Sequence, residues 1–480
     1  MSREDRLDLL LFHAYFLAND PHEQEIMRPF PPLGMQYLVA WLKRAGFPAV
    51  DWVDSTFLEG PADFHSRCAS YNPRVVGLYG HTVTRPVAKD MIARCREEGR
   101  RVIAGGPDPV QYVDAYLDAG VEVIVVGEGE ITTTALLSHL RENNWQWDFD
   151  ALRSVPGVVF RHEGTIIRTA ARTLIRPLDQ IPWPERRHGD LERYFSVWRE
   201  RHGETAMSMV TSRGCPYRCS WCSKQVYGDT YRRRSVGDVL DELHDIRTTF
   251  DPDQIWFADD LFTLNRTWTE RFCKEMVRRR SRIPFYIIAR PETLTPRMCN
   301  DLAAAGCYRV YVSAESGAQH ILDAMNKRDK VEDIYQAGKN LRCAGIELGV
   351  FVMIGYPGER REDIDATLQM LHFLNPEVLL LSVAHPMKGT DFYAQVADRI
   401  VPATPEQVVA DGGRLRFEMD YSKRFYDVAQ RMIWAETSLV RKLRRGEYDR
   451  ELTRLAVKVP LYRAATHWLA RSPTPASPSK

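Results

Sequence analysis

The feature that most constrains the fold is a regular alternation of short apolar runs with helix-like segments over residues 1–145. The runs are LDLLLFHAY, VVGLYG, VIAGGP and VEVIVVGEGE, and several of them end in glycine-rich turns. Nearly continuous apolar runs of this kind are typical of strands that are buried on both faces of a parallel sheet. We therefore predict an α/β, doubly wound, Rossmann-like domain that binds its ligands beyond the carboxyl ends of the strands.

A second alternating series covers residues 206–400. Its strands are AMSMVTS, QIWFADD, PFYIIAR, RVYVSAES, LGVFVMIG and VLLLSVA. Six strand–helix units are fewer than the eight of a complete barrel, so the pattern predicts a partial (β/α)6 parallel barrel of the TIM type. We interpret residues 146–205 as a connector that includes a small strand pair, SVPGVVFRHEGTIIR. Residues 401–480 are predicted to be mainly helical, with a disordered Pro/Ser tail.

The charge composition is balanced, with 65 Lys and Arg against 64 Asp and Glu. This balance provides no electrostatic reason to expect a nucleic-acid partner. Acidic residues precede the first apolar stretch and no small-residue cleavage site follows it, which argues against a secretory signal. No uninterrupted apolar run approaches the ~20 residues of a membrane-spanning helix. Nine cysteines are an odd number and too few for a disulfide scaffold, so we expect a reduced, cytoplasmic protein.

The last part of the chain is basic. From Tyr421 onward it has 13 Lys and Arg but only five Asp and Glu. A basic amphipathic surface of this kind can meet a membrane or an anionic substrate. More often such a face is simply solvated, and that is our expectation.

Three cysteines lie close together in the segment TSRGCPYRCSWCSK. Cys215, Cys219 and Cys222 provide soft thiolate ligands, which bind iron–sulfur clusters, zinc or copper(I). A structural zinc site needs four ligands, and no fourth Cys or His lies nearby in the sequence. The triplet therefore favours a [4Fe–4S] cluster with one iron left open to S-adenosylmethionine (SAM). A zinc site and a redox CxxC pair are the alternatives. We expect the six other cysteines to be small buried side chains; these are Cys68, Cys95, Cys273, Cys299, Cys307 and Cys343.

The CxxxCxxC spacing, with Trp221 before its last cysteine, resembles the signature of the radical SAM superfamily. This resemblance implies a [4Fe–4S] cluster on the three cysteines and reductive cleavage of SAM. It also implies SAM contacts at the carboxyl ends of the barrel strands. On this basis the expected SAM contacts are Asp259, Asp260, Arg290, Glu315 and Gly355. Taken singly, each has a structural interpretation as a helix cap, a tight turn or an ion pair.

One departure from the superfamily pattern concerns the first SAM motif. Acids at Asp259 and Asp260 stand where the superfamily usually carries glycines of a Gly-Gly-Glu-like motif that meets the SAM amino group. The resemblance implies that Asp259 and Asp260 make this contact with the SAM amino group. Arg290 resembles a group that meets the SAM carboxylate or the substrate, and Glu315 resembles the acid that binds the ribose hydroxyls. Gly355 lies where backbone groups commonly contact adenine.

The N-terminal motifs Pro31-Pro32-Leu33-Gly34, Gly105-Gly106-Pro107 and Gly127-Glu128-Gly129-Glu130 resemble the B12-binding domain of cobalamin-binding radical SAM proteins. Relatives with this layout include the anaerobic magnesium-protoporphyrin ester cyclase and radical enzymes of hopanoid and antibiotic pathways. The resemblance implies a corrinoid close to Gly105, Gly106, Gly127 and Gly129, where glycine lets the backbone approach a ligand.

Two features of this domain depart from the cobalamin-binding pattern. The chain has no DxHxxG motif, which often provides a histidine ligand to cobalt, and Asp108 stands where relatives often show His. His81 is the nearest substitute, and we interpret it as an ordinary loop histidine.

These resemblances imply an enzyme that methylates an unactivated carbon of a small-molecule biosynthetic intermediate. They also imply an external one-electron donor of the flavodoxin or ferredoxin type. One alternative keeps the radical step but transfers no methyl group: dehydration, deoxygenation, ring contraction or cyclisation of a sugar, cyclitol or lipid-linked substrate. Another is a non-catalytic module that binds a corrinoid or zinc.

Overall fold

The computed structural model describes residues 6–187, 190–224, 226–402, 407 and 414–471. The chain forms two compact units. The first comprises residues 1–216, 223–254 and 403–414, and the second comprises residues 217–222, 255–402 and 415–480. The tail predicted to be disordered lies almost wholly within residues 472–480, outside the described residues.

The first unit is built from alternating strands and helices. In chain order they are β1 (Leu9–His13), α1 (Pro21–Ile26), α2 (Leu33–Arg44), β2 (Val50–Val53), α3 (Pro61–Tyr71), β3 (Val75–Tyr79), α4 (Arg85–Glu97), β4 (Arg101–Gly105), α5 (Pro107–Gln111), α6 (Val113–Asp118), β5 (Val123–Val125), α7 (Gly129–Glu142), α8 (Phe149–Leu152), β6 (Val158–His162), β7 (Thr165–Arg168), α9 (Leu191–His202), β8 (Ala206–Met209), β9 (Ser212–Arg213), β10 (Arg232–Arg233) and α10 (Val236–Thr249).

The main sheet of this unit has the strand order β2-β1-β3-β4-β5-β6-β7. Strands β1 to β5 are parallel, whereas β6 and β7 continue the sheet in antiparallel pairing. The strand pair predicted for the connector therefore extends the first sheet. Pairing is favourable because Val158, Val159 and Phe160 are buried. Strand β2 was not among the predicted strands, because only four residues form it and Asp51 interrupts its apolar run.

The sheet is buried on both faces, as a doubly wound fold requires. Leu10 and Phe12 of β1 pack into one hydrophobic cluster, and Leu9 and Leu11 pack into another. Successive side chains of a strand point to opposite faces, so these two clusters lie on the two sides of the sheet. The predicted fold class of the N-terminal region is confirmed.

The second unit also alternates strands and helices. Its elements are β11 (Gln254–Phe257), α11 (Arg266–Arg278), β12 (Phe285–Ala289), α12 (Pro296–Ala305), β13 (Cys307–Glu315), α13 (Gln319–Ala324), α14 (Val331–Cys343), β14 (Glu347–Ile354), α15 (Arg361–Leu374), β15 (Val378–Val383), α16 (Asp391–Gln395), β16 (Ile400–Val401), β17 (Arg416–Phe417), α17 (Lys423–Arg445) and α18 (Arg450–Ala470).

Strands β11 to β15 are hydrogen-bonded in their order along the chain, and all four pairings are parallel. Several helices of this unit begin after a residue whose side chain accepts a backbone N–H three residues later, which satisfies a donor at the helix start. Clear cases are Asn265, Thr295, Ser422 and Asp449. This parallel, partial-barrel arrangement, followed by a helical C-terminal region, is the predicted fold class.

Within the described part of the chain, no helix is both long and apolar enough to cross a membrane.

The cysteines outside the triplet divide into two groups. Five of the six are buried, as predicted, but Cys343 is exposed. The prediction was wrong for Cys343 because this residue ends α14, where the neighbouring Arg342 and Gly345 are also exposed.

The packing of β6 provides a test of its place in the first sheet. Phe160 is fully buried. We expect Phe160→Ala to lower the free energy of unfolding of the first unit by about 3–5 kcal/mol, the usual cost of removing a buried aromatic ring. Urea titration followed by circular dichroism measures this change. The exposed Thr165→Ala in β7 is the control, with an expected change within about 0.5 kcal/mol. Equal effects of the two substitutions would show that β6 does not belong to the core.

Candidate active site

The three cysteines of the triplet differ from the buried cysteines in their accessibility. Cys215, Cys219 and Cys222 are all partly exposed. Cys215 belongs to the first unit and the other two to the second. The Cys222 N–H donates to the Cys219 carbonyl over 3.1 Å, which closes a turn between them. Partly accessible thiols in a short loop are the donor type that an iron–sulfur cluster needs.

The arrangement of side chains alone does not identify a metal centre. Among the residues that the structure describes, no group of three or more His, Cys, Asp or Glu side chains is placed to hold a metal ion. The assignment of the cysteines therefore rests on their spacing, their chemistry and their shared accessibility.

The loop that carries two of the cysteines is fastened to the second unit by Ser220. The Ser220 N–H donates to the Met325 carbonyl over 2.9 Å, and the Ser220 carbonyl accepts from the Phe392 N–H over 2.8 Å. The Ser220 hydroxyl is 2.7 Å from the hydroxyl of buried Tyr356. Trp221, the aromatic residue of the motif, packs against the same hydrophobic cluster. Main-chain and side-chain bonds together hold this loop in one position.

Arg290 lies directly after β12 and is almost completely buried. Its Nε donates to Glu292 over 2.6 Å, and it also pairs with Asp329. Its guanidinium lies 3.6 Å from the centre of the Tyr217 ring, a cation–π contact. Burial raises the pKa of Asp329 to about 7, although Lys327 and Arg290 favour its charged form. Arg290 is thus held rigidly by two acids and one aromatic ring.

Glu315 ends β13 and is also buried. Its φ is +64°, and the pairing of β13 with β14 shifts register between Ser313 and Glu315. A non-glycine residue with positive φ is uncommon and often marks a functional position. Burial raises the pKa of Glu315, opposed by the nearby Lys327 ammonium at 3.5 Å.

Two of the predicted SAM residues are therefore joined by one buried charge network. Lys327 lies between Glu315 and Asp329, at 3.5 and 3.8 Å, and Asp329 pairs with Arg290. Sequence analysis missed Lys327 and Asp329. They lie in the turn after α13, where charged residues are common and no periodic pattern distinguishes them.

The two acids after β11 differ from each other. Asp259 is buried, whereas Asp260 is exposed. Both were predicted to share one contact, but the structure turns only Asp259 toward the interior.

Gly355 follows β14 with a φ of +80°, and a Cβ at this position would lie 2.3 Å from the Met419 side chain. Its N–H donates to Glu359 over 2.5 Å. Glu359 is buried, and burial raises its pKa to about 8. The turn after β14 is therefore closed by a carboxyl group that is neutral below about pH 8.

The glycine turns of the first unit pack against protein atoms. Gly106 has a φ of +98°, and a Cβ there would lie 2.7 Å from the Gly80 carbonyl oxygen and 3.0 Å from the Tyr79 ring. The Gly80 N–H donates to the Gly105 carbonyl over 2.8 Å. These glycines lie at the carboxyl ends of β3 and β4, where Tyr79 is 40% exposed. The Tyr79 ring therefore lies against Gly106 at this edge of the sheet.

The other glycine pair encloses two buried acids that sequence analysis passed over. Gly127 has a φ of +78°, and Gly129 begins α7. Between and after them lie Glu128 and Glu130, each about 5% exposed. The motif therefore contains two buried carboxylates in addition to the glycines that the sequence singled out.

These acids are paired with arginines next to the first cysteine. Arg213 donates to Glu128 over 2.7 Å and to Glu130 over 2.5 Å, and Arg232 donates to Glu128 over 2.9 Å. Burial alone would raise the pKa of Glu128. These hydrogen bonds outweigh burial and hold that pKa below its ordinary value. Arg213 lies two residues before Cys215. The acidic motif of the first sheet therefore holds the start of the cysteine loop.

The backbone between Arg213 and Cys215 is also constrained. Gly214 has a φ of +85°, and a Cβ on it would lie 2.0 Å from the Thr230 carbonyl oxygen. Only glycine fits this turn.

The two positions that departed from the cobalamin-binding pattern have different surroundings. Asp108 is buried and accepts two hydrogen bonds from Arg85, over 2.7 and 2.6 Å, and one from the Tyr116 hydroxyl over 2.8 Å. It is a structural ion pair. His81 is exposed directly after β3, where it precedes a short 3-10 helix.

Comparison with known proteins places these observations in a family. The model of the radical SAM superfamily matches residues 209–371, and that of the B12 binding domain matches residues 25–137. The uncharacterized methyltransferase PH0819 of Pyrococcus horikoshii is 27% identical over 371 residues, which is 75% of this chain and 77% of that protein. The anaerobic magnesium-protoporphyrin IX monomethyl ester cyclase of Rubrivivax gelatinosus is 25% identical over 394 residues, 78% of this chain and 68% of that protein.

A solved structure has the same fold. The radical SAM methyltransferase TsrM of Kitasatospora setae, with cobalamin and a [4Fe–4S] cluster bound, superposes with a TM-score of 0.68 at 21% identity. The match covers 82% of this chain and 78% of TsrM.

The buried pair between Glu128 and Arg213 leads to a prediction for the cysteine loop. We expect Glu128→Gln to lower the free energy of unfolding by about 3 kcal/mol, because it leaves buried arginine charge uncompensated. We also expect less iron per chain after anaerobic reconstitution, because Arg213 precedes Cys215 in the loop. Iron and sulfide analysis measures this loss.

The matched control is Asp108→Asn. Asp108 is similarly buried and accepts hydrogen bonds from Arg85 of α4 and from the Tyr116 hydroxyl of α6. This variant should be destabilised to a similar degree but keep its iron content. Equal iron loss in both variants would show that Glu128 acts only on overall stability.

The raised pKa of Glu359 predicts a pH dependence of stability. Between the unfolded value near 4.5 and the folded value of about 8, the folded chain binds a proton that the unfolded chain has released, so stability falls as pH rises. Each pKa unit corresponds to about 1.4 kcal/mol. We expect Glu359→Gln to flatten the decline between pH 5 and 8 by a few kcal/mol, measured by urea titration. The exposed Glu362→Gln is the control; an unchanged slope in Glu359→Gln would contradict the assignment.

Proposed function

Because this chain is a radical SAM enzyme with an N-terminal B12-binding domain, we propose that it transfers a methyl group to an unactivated carbon of a small-molecule intermediate. The observation that carries the proposal is the presence, in one chain, of a B12-binding domain and the CxxxCxxC loop. The methyltransferase names of PH0819 and TsrM support methyl transfer over a radical reaction without it.

The cofactors of the enzyme are a [4Fe–4S] cluster, SAM and cobalamin. In our proposal Cys215, Cys219 and Cys222 hold the cluster. When bound, these cofactors supply an electron to cleave SAM, a radical that removes a substrate hydrogen, and a methyl group for the resulting carbon. The chain itself has to bind and orient the reactants and exclude water.

The buried charge network is our candidate for SAM orientation. We propose that Arg290 meets the carboxylate of SAM and that Glu315 meets its ribose hydroxyls. Asp259, with Asp260 beside it, is proposed for the amino group, and Gly355 for adenine. Arg290 and Glu315 are already held by Asp329, Lys327 and the turn at β13. Groups fixed before binding lose little freedom when the cofactor arrives, which favours one productive geometry.

For cobalamin we propose contacts at Gly105, Gly106, Gly127 and Gly129. Support comes from the position of Gly105 and Gly106 at the carboxyl edge of the first sheet, where doubly wound folds bind their ligands. The exposed Tyr79 ring at the same edge offers a flat apolar surface. His81 is not proposed as a cobalt ligand.

The electron donor, the location of the reaction and the domain boundaries are also part of the proposal. An external electron donor of the flavodoxin or ferredoxin type reduces the cluster, and the reaction takes place in the cytoplasm. Residues 1–145, 146–205, 206–400 and 401–480 are the proposed B12-binding domain, connector, barrel and C-terminal region.

The experiment that tests the proposal uses SAM labelled in its methyl group. The reconstituted holoenzyme, given reductant and candidate substrates, should transfer label into the product and release 5′-deoxyadenosine and methionine. Release of 5′-deoxyadenosine with an unlabelled product would instead support dehydration, rearrangement or cyclisation.

Two cysteine variants, one in the loop and one outside it, test the cluster assignment. Cys219→Ala should lose the visible absorbance of iron–thiolate charge transfer and reduce 5′-deoxyadenosine formation at least 100-fold, a loss of about 3 kcal/mol or more. Cys343→Ala, at an exposed position outside the loop, should retain both. Unchanged turnover of Cys219→Ala would contradict the cluster assignment.

A further inference from the structure

An apolar stripe runs along the exposed side of helix α18. Val457, Leu461 and Trp468 are 62%, 63% and 64% exposed. They are four and seven residues apart, and at about 100° per residue this spacing places them on one face of the helix. Large apolar side chains that are exposed in a row usually mark a contact surface.

The stripe is not the face by which α18 packs into the protein. Val459, Thr466 and Leu469 are buried on the other side of the helix, and the Thr466 hydroxyl contacts the Met432 sulfur of α17 at 3.5 Å. The helix is thus apolar on two sides, of which one covers the core and one does not.

Arginines border the stripe at both ends. Arg450 and Arg454 lie on the same side of α18 before Val457, and Arg471 follows its last turn. All three are exposed, and none has an ion-pair partner among the described residues. The surface that we name the α18 face consists of these arginines with Val457, Leu461 and Trp468.

The acids nearest this face are drawn to another cation. Lys442 at the end of α17 pairs with Glu447, Asp449 and Glu451, over 3.6, 2.7 and 3.1 Å. Lys442 offsets only part of their charge, but residues 442–471 contain eight Lys and Arg against three Asp and Glu, so this region keeps a net positive charge.

We propose that the α18 face binds the surface of an anionic phospholipid membrane. A helix that lies in the membrane interface buries its apolar side chains below the headgroups and pairs its cationic flanks with them. Tryptophan favours the same depth, because its ring is apolar and its N–H is polar. The face thus acts as a membrane contact. From the basic composition of this region alone, a solvated surface was expected.

The charge pattern favours a membrane over a second copy of the chain. A symmetric dimer through this face would bring the same surface against itself and place arginines near arginines. Like charges at an interface oppose association. An anionic bilayer provides opposite charge to all three arginines at once.

Co-sedimentation with vesicles tests the proposal, which goes beyond the proposed function and does not require turnover. The full-length, cluster-loaded protein is mixed at low salt with vesicles of phosphatidylglycerol and phosphatidylcholine, or of phosphatidylcholine alone. Binding should be at least tenfold tighter to the anionic vesicles and should weaken in 0.5 M salt. Absent binding, or equal binding to both vesicles, would overturn the proposal.

Variants localise the effect. Leu461→Asp combined with Trp468→Asp should weaken binding at least tenfold, and Gln at Arg450, Arg454 and Arg471 should weaken it roughly 100-fold. Val277→Asp, an exposed apolar position on α11, is the control and should bind like the native protein. If the α18 variants bind vesicles normally, or if they abolish a dimer seen by sedimentation velocity, the face binds something other than lipid. Label transfer from SAM in solution is measured separately and should not change in these variants.

Discussion

The candidate site depends on a short loop whose main chain is held by hydrogen bonds within the protein. Ser220 donates and accepts backbone hydrogen bonds, to Met325 and from Phe392, and its hydroxyl meets Tyr356. A three-thiolate cluster leaves one iron open, so its position depends on how firmly the remaining ligands are held. At the start of the loop, Gly214 fits only because glycine has no Cβ, and Arg213 is fastened by two buried acids.

Both units also contain buried networks of charged side chains. Each unit places arginines and carboxylates out of water at the ends of its strands, where ligands bind in parallel folds. Isolated buried charges would be costly, but these are compensated in networks. In the second unit the network joins Arg290 to Glu315 through Asp329 and Lys327. Such an arrangement keeps polar groups oriented in a region of low dielectric, where they act most strongly on a charged cofactor.

The sequence predicted the two alternating series and their sheets, because hydrophobic periodicity reports burial directly. It also predicted the cysteine loop, since ligand type and spacing are visible in the residues themselves. It missed β2, where Asp51 breaks a four-residue run, and the joining of β6 and β7 to the first sheet. It also missed Glu128, Glu130, Lys327 and Asp329. Those roles depend on pairing between residues far apart in the chain, which no local pattern encodes. The burial of Asp259 with exposure of Asp260 has the same origin.

We propose that SAM docks on a free iron of a cluster held by Cys215, Cys219 and Cys222. Electron–nuclear double resonance of the reduced enzyme with SAM carrying ¹⁵N in its amino group tests this directly. A hyperfine coupling between that nitrogen and the cluster, absent with unlabelled SAM, is the expected result. A reduced cluster that shows no such coupling under saturating SAM would show that SAM does not bind the free iron.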